Sequence, residues 1–183
     1  ITQIAELPRE QARMVVIDPR RVHLRHADHP MVAAYAGSSD AAATAVTDTV
    51  ATMSSRLPGP DVTAEQLAAR NWWTGPDIYL VIDDLELVPD EHLRPLVALL
   101  PHAHDIGMHI IAARKFGGSA RALFSPFLST LKDQLPDAVL LSGNREEGQL
   151  FGVRPMPLAP GRGILVRNND NAGPIQIAVG DAA

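Results

Sequence analysis

Two adjacent carboxylates, Asp83 and Asp84, close the apolar run Ile78-Tyr79-Leu80-Val81-Ile82. Charged side chains are rarely buried without a partner, so an acidic pair at the end of such a run points to work on a cation or a proton. The run is bounded by turn signals, Thr74-Gly75-Pro76 before it and Pro89 after it. That framing predicts a strand buried on both faces. Such strands deliver their C-terminal ends to the ligand crevice of an open α/β sheet. The pattern is that of a Walker B strand, in which Asp83 is the acid associated with Mg²⁺ and Asp84 stands where a catalytic base would. The plain alternative is a strand-to-loop turn whose aspartates cap backbone amides.

Two further cations are placed to join that chemistry. Arg114 ends the run His109-Ile110-Ile111-Ala112-Ala113; it could sense a phosphate, although an ion pair with Asp83 is the expected solution for paired buried charges. Gly161 and Arg162, in Pro160-Gly161-Arg162-Gly163, are candidate nucleotide contacts, with Arg162 reaching a neighbouring subunit's site as arginine fingers do or else marking a surface turn. The histidines form two groups, His23, His26 and His29 with Asp28, and His102, His104 and His109 with Asp105. Neither has the Glu between helical i, i+4 histidines that zinc proteases use, so a histidine metal site is not expected. Trp72 and Trp73 read as packing residues. A helix over Ser119–Gln134, disturbed at Pro126, reads as mostly core, although its outer flank could take a partner helix.

The elements that would position these residues follow from the pattern. Met14 to Ile17 is a buried strand ending at Asp18 and closed by Pro19, and Arg20 to Pro30 is a polar, His-rich loop. Gly37-Ser38-Ser39-Asp40 opens a helix with Val46, Val50, Met53 and Leu57 on one face. Pro58-Gly59-Pro60 stops it, and Thr63 with Gln66 forms a capping box for a shorter helix. One helix is expected over Asp90–His104, Pro95 being tolerated near its first turn and Pro101 ending or kinking it. Ala138 to Leu141 reads as another buried strand. Ile164–Arg167 and Ile175–Val179, joined at Asn168-Asn169-Asp170-Asn171, read as a hairpin. Strands alternating with helices predict an α/β fold with a mostly parallel sheet and a C-terminal antiparallel hairpin, as a single domain over 1–183.

Composition narrows the function. The chain has 183 residues, 46% of them hydrophobic and 20% charged, with a net charge of −5, an ordinary globular balance. No run of like charge proposes nucleic-acid binding. Cys is absent, which excludes disulfides, Cys-based zinc sites and thiol catalysis. No apolar run approaches the roughly 18 residues of a membrane span, and no signal peptide is present. Lacking an initiator Met, the chain is expected to be a piece of a longer protein.

Trp72-Trp73-x-Gly75-Pro76 followed by Tyr79-Leu-Val-Ile-Asp83-Asp84-Leu85-Glu-Leu87 resembles the last ATPase domain of the EccC family. These are the multi-ATPase membrane proteins of mycobacterial type VII (ESX) secretion, within the FtsK/SpoIIIE group. Asp105-Ile106-Gly107-Met108-His109, Gly117-Gly118-x-Ala120-Arg121-Ala122-Leu123, Leu140-Leu141-Ser142-Gly143, Glu147-Gly148 and Pro160-Gly161-Arg162-Gly163 follow in the family's order. The resemblance implies a RecA-like P-loop NTPase fold using ATP and Mg²⁺. It also implies tandem neighbouring ATPase domains, hexameric assembly with other ESX membrane components, and a place on the cytoplasmic side of the plasma membrane, anchored by regions outside this chain. The substrates implied are small helical-hairpin proteins, whose C-terminal secretion signal the last domain receives.

The sequence departs from a full ATPase in three places. It contains no Gly-x-x-x-x-Gly-Lys-Ser/Thr, so Ile1 is expected to lie in the helix after a P-loop and the chain to bind nucleotide weakly. Asp84 stands where active members often carry the longer Glu. Arg114-Lys115 occupies the place of a polar sensor. The expectation is therefore a degenerate ATPase-fold domain that binds secretion signals and supports motor assembly. The alternatives are an ATP-hydrolysing export motor and, less in keeping with the negative charge, a DNA translocase.

Overall fold

In the computed structural model, residues 1–167 and 170–177 are described. Four strands, β1 (Ala12–Ile17), β2 (Val32–Ala36), β3 (Asp77–Ile82) and β4 (Met108–Ala112), form one parallel sheet in the order β2-β1-β3-β4. Their register sets Ile17 beside Ile82 and Ile82 beside Ala112. The residues following β1, β3 and β4 therefore emerge on one edge of the sheet. Met14, Val15, Val16, Ile17, Leu80, Val81 and Ile82 are all buried, as the continuous apolar runs require of strands covered on both faces.

The short helix α1 (Thr2–Ala5) brings Ile4 and Ala5 onto the cluster of Met14, Val16, Met31 and Val81. Helix α2 (Ser39–Ser54) packs on β1 and β2. It starts where Ser38 accepts a hydrogen bond from the Ala41 amide, and it buries Ala42, Ala45, Val46, Thr49 and Met53. Helix α3 (Ala64–Ala69) carries the expected capping box: Thr63 Oγ1 accepts from the Gln66 amide at 3.2 Å and Gln66 Oε1 from the Thr63 amide at 2.9 Å. Among the described residues no helix is long and apolar enough to cross a membrane.

Strand β2 escapes the sequence reading, because Val-Ala-Ala-Tyr-Ala shows neither a bulky apolar run nor alternation; pairing with β1 makes it a strand. The helix expected over Asp90–His104 is not continuous. Helix α4 (Asp90–Leu93) gives way to 3₁₀ turns at Arg94–Leu96 and Leu100–His102. Pro95 and Pro101 each remove a donor and clash with an earlier carbonyl. Leu93, Leu96 and Leu99 stay buried, three residues apart as a 3₁₀ repeat places them.

The chain divides into two compact units, Ile1–Arg114 and Lys115 onward, where the sequence alone reads as one domain. In the second, α5 (Ser119–Ala122) and α6 (Pro126–Asp133) replace the single helix expected over Ser119–Gln134. Pro126 takes the first turn of α6, where a missing donor costs nothing; Phe127 is buried, whereas Phe124 is 84% exposed. Strand β5 (Ala138–Leu140) does not extend the parallel sheet. It pairs antiparallel with β6 (Arg162–Arg167), which pairs with β7 (Asp170–Gln176) in the expected hairpin. The turn residues Asn168 and Asn169, and Ala178 and Val179 at the end of the expected last strand, lie outside the described residues.

Candidate functional site

Asp83 emerges beside the end of β1, its amide donating to the Ile17 carbonyl at 2.9 Å. Asp18, the first residue after β1, is fully buried. Its carboxylate accepts from the amides of Val22 at 3.1 Å and His23 at 2.6 Å, and from the Tyr35 hydroxyl at 2.7 Å. Burial by itself raises the Asp18 pKa, but these donors outweigh it and hold the group below its ordinary value. Burial and the hydrogen bond to Asp18 push the Tyr35 hydroxyl up to about 12.

Asp18 thereby folds residues 19–23 into a tight loop that returns over β3. His23 Nε2 reaches Asp83 Oδ2 at 3.0 Å and Arg20 Nη1 reaches Asp84 Oδ1 at 3.3 Å. Because an ionised carboxylate only accepts, His23 Nε2 is the donor. Asp83 Oδ1 takes the Asp84 amide at 3.0 Å. Asp84 adopts the left-handed region, φ +46°, which Asp tolerates better than most residues; its carboxylate is only 12% exposed. The pair is thus an internally compensated cluster.

Arg114 follows β4 on the same edge, yet it does not form the ion pair expected with Asp83. His23 holds that place, and among the described residues Arg114 Nε is buried without a hydrogen-bond partner. Gly161 and Arg162 belong to the second unit. They form an exposed turn into β6, with Gly161 at φ +75°, where an added Cβ would lie 2.7 Å from Gln176 Nε2. A divalent cation such as Mg²⁺ needs open, near-octahedral oxygen ligation. Both Asp83 oxygens already take donors, Asp84 is covered by a guanidinium, and no group of three His, Asp or Glu among the described residues is arranged for a metal. In this arrangement the acid pair does not fit the cation that the family's chemistry uses.

The opposite edge of the same sheet, where β3 and β4 begin, carries a groove of about 600 Å³ lined by Pro58, Leu67, Arg70, Trp72, His102 and Asp105 with two alanines of α3. Its Trp72 wall is tied to the backbone of Arg56, a buried arginine just past the end of α2. Arg56 Nη1 donates to the Ile106 carbonyl at 3.1 Å and Nη2 to the Pro76 carbonyl at 2.9 Å, while its guanidinium lies 4.2 Å from the Trp73 ring centre. The Trp72 indole donates to the Arg56 carbonyl at 2.7 Å and that of Trp73 to the Asp105 carbonyl at 2.8 Å. Both tryptophans therefore pack, as expected, but Trp72 also forms a wall. Leu67, 45% exposed, belongs to a helix with no buried residue. At the rim, Arg70 Nε lies 3.1 Å from Asp105 Oδ1 and its Nη1 3.1 Å from His104 Nε2. A guanidinium has five donors in a planar fork, so Arg70 keeps capacity for another carboxylate. The capping box and Trp72-Trp73 signal the separate walls, but nothing local signals that they meet.

No protein-family model matches the chain. Curated relatives do. The EccC protein of the Mycobacterium tuberculosis ESX-4 secretion system is 44% identical over 172 residues, covering 92% of this chain and 14% of that protein. The ESX secretion system protein EccC of Thermomonospora curvata is 45% identical over 172 residues, covering 92% of this chain and 13% of the relative. The chain thus spans about one-seventh of the length of these relatives. The solved cytoplasmic domain of the T. curvata type VII secretion ATPase EccC superposes with a TM-score of 0.90 at 42% identity, over 96% of this chain and 21% of that one. ATPases 2 and 3 of T. curvata EccC, solved in complex with a signal sequence peptide, give the same TM-score and identity over 96% of this chain and 32% of that one. Over the part of those proteins that it spans, this chain belongs to the EccC family of FtsK/SpoIIIE-like type VII (ESX) secretion ATPases.

Proposed function

We propose that this chain is the last ATPase-fold domain of an ESX secretion motor and that it receives the C-terminal secretion signal of a small helical-hairpin substrate in the groove beside α3. The observation that carries this reading is the preformed groove. Leu67 and Trp72 offer apolar surface that no element among the described residues covers fully, and Trp72 is held by the Arg56 carbonyl. The lining mixes this apolar surface with the polar groups of Arg70, His102 and Asp105, and placed polar groups beside apolar ones orient a ligand. Leu67 and Trp72 suit an apolar side chain of the signal, and Arg70 suits a carboxylate. The T. curvata structure of ATPases 2 and 3 with a signal sequence peptide supports a signal-binding role. Around the domain we place neighbouring ATPase domains of the same protein, other ESX membrane components and a hexameric motor on the cytoplasmic face of the plasma membrane. Trp72 and Trp73 are the two tryptophans of the chain, so titrating a substrate's C-terminal peptide against intrinsic fluorescence reads the groove directly. Saturable quenching or enhancement that Trp72→Phe reduces is expected; a flat titration at high micromolar peptide sinks the reading.

A second reading, ATP hydrolysis powering export, is favoured by one observation: Asp83, Asp84 and the unpartnered Arg114 Nε lie on one sheet edge. In it Asp83 holds Mg²⁺, Asp84 acts as base and Arg114 senses phosphate, while Gly161 and Arg162 serve the nucleotide of a neighbouring subunit. Measured on the whole EccC protein containing this domain, MgATP hydrolysis that Asp83→Ala leaves unchanged would remove it.

A further inference from the structure

The acid pair that the family's chemistry would use for a cation is already held by two side chains of its own chain. Both come from one short loop, both reach their carboxylates within 3.3 Å, and the loop is shaped by a third, fully buried carboxylate. We infer that residues 18–23 form a clamp, templated by Asp18, in which His23 and Arg20 occupy the oxygens of Asp83 and Asp84 and close this edge of the sheet to divalent cations.

Each link has its own support. Asp18 gathers three donors, two of them backbone amides inside the loop, so the loop's path is set by hydrogen bonds rather than by the acids it covers. Tyr35, from neighbouring β2, ties the same carboxylate to the sheet. Arg21 adopts φ +58° and donates from Nε to the Gly37 carbonyl at 3.2 Å, so the loop is also fastened on its outer side. The clamp is therefore built before it meets Asp83 and Asp84. A divalent cation at Asp83 must displace His23 from Oδ2, and one bridging to Asp84 must also displace Arg20. Each acid at the end of this buried strand is thus compensated from within the chain.

The inference is independent of signal docking at the opposite edge. Its test is Mn²⁺ binding at fixed neutral pH, read by electron paramagnetic resonance on the 183-residue chain and its variants. The Arg20→Ala, His23→Ala double variant is expected to bind Mn²⁺ about tenfold more tightly than the parent, the scale set by two partly exposed pairs. Arg20→Ala alone, at a position 46% exposed and safe for folding, is expected to give part of that gain. Adding Asp83→Asn to the double variant should abolish it. Affinity that is unchanged or undetectable in all variants, or a gain that survives Asp83→Asn, overturns the clamp.

Discussion

Replacing Arg56 by Met is the most demanding test of the packing behind the Trp72 wall. The residue is 6% exposed, and its guanidinium donates to the carbonyls of Ile106 and Pro76 while stacking on Trp73. Methionine keeps much of the stem and deletes both donors, leaving two carbonyls without those partners. Hydrogen bonds from a charged donor are worth roughly 1.5–3 kcal/mol each, and the stacking adds about 0.5–1 kcal/mol. Against this, the variant is spared the cost of stripping water from a buried cation, a cost seen in the lowered Arg56 pKa, which burial causes and the field of Asp77 only partly offsets. A net loss of about 2–4 kcal/mol follows when that relief is subtracted. In urea, with a slope of about 2 kcal/mol per molar, the midpoint should fall by about 1–2 M at unchanged slope, and signal-peptide affinity should fall with it. Arg56→Lys should be intermediate, because one ammonium cannot stack and bridge both carbonyls. A midpoint for Arg56→Met within about 0.3 M of the parent, well below the smallest fall that such a loss allows, would refute the reasoning.

Four further outcomes are expected. Gly107→Ala should destabilise by more than about 2 kcal/mol in the same assay, because φ is +66° and the new Cβ would lie 2.5 Å from Trp73 Cη2 and 2.6 Å from Asp77 Oδ1. The depressed Asp18 pKa contributes stability that is present above the unfolded carboxylate value and is lost as pH falls through the lower folded value, so Tyr35→Phe should move the acid unfolding midpoint upward. The raised Tyr35 pKa works in the other direction: its stabilisation is full below 10 and is lost as pH rises through about 12, so the last tyrosinate absorbance step should vanish in Tyr35→Phe. Finally, Arg70→Ala and Leu67→Asp should each weaken signal-peptide binding about tenfold, as loss of a groove contact does, while leaving the thermal midpoint within a few degrees.

The parts of the fold legible in the sequence are those in which one stretch carries its own signal. Met14–Ile17 and Ile78–Ile82 announce buried strands by continuous apolar residues, and Thr63 with Gln66 announces a helix start that both capping bonds confirm. Strand β2 is made by its neighbour; the 3₁₀ turn at Arg94–Leu96 comes from Pro95, whose cost an apolar stripe conceals, whereas the break at Pro101 is legible. The acid pair is visible in the sequence, but its partners are not. His23 and Asp83 are 60 residues apart and meet only because β1 and β3 are adjacent. The same non-locality hides Arg56: an arginine just past a helix end reads as exposed, and only the carbonyls of Pro76 and Ile106 explain its burial. The groove is assembled from residues 58, 67–72 and 102–105, so no window of the sequence contains it.

The central claim is that the groove beside α3 receives a secretion signal. The most direct measurement is the dissociation constant of a substrate's C-terminal peptide, by intrinsic tryptophan fluorescence, for the parent chain, Arg70→Ala and, as a control at the opposite edge, Asp83→Asn. Saturable binding that Arg70→Ala weakens and Asp83→Asn leaves unchanged is the predicted result. Binding that is absent, or that depends on Asp83 and not on Arg70, would contradict it.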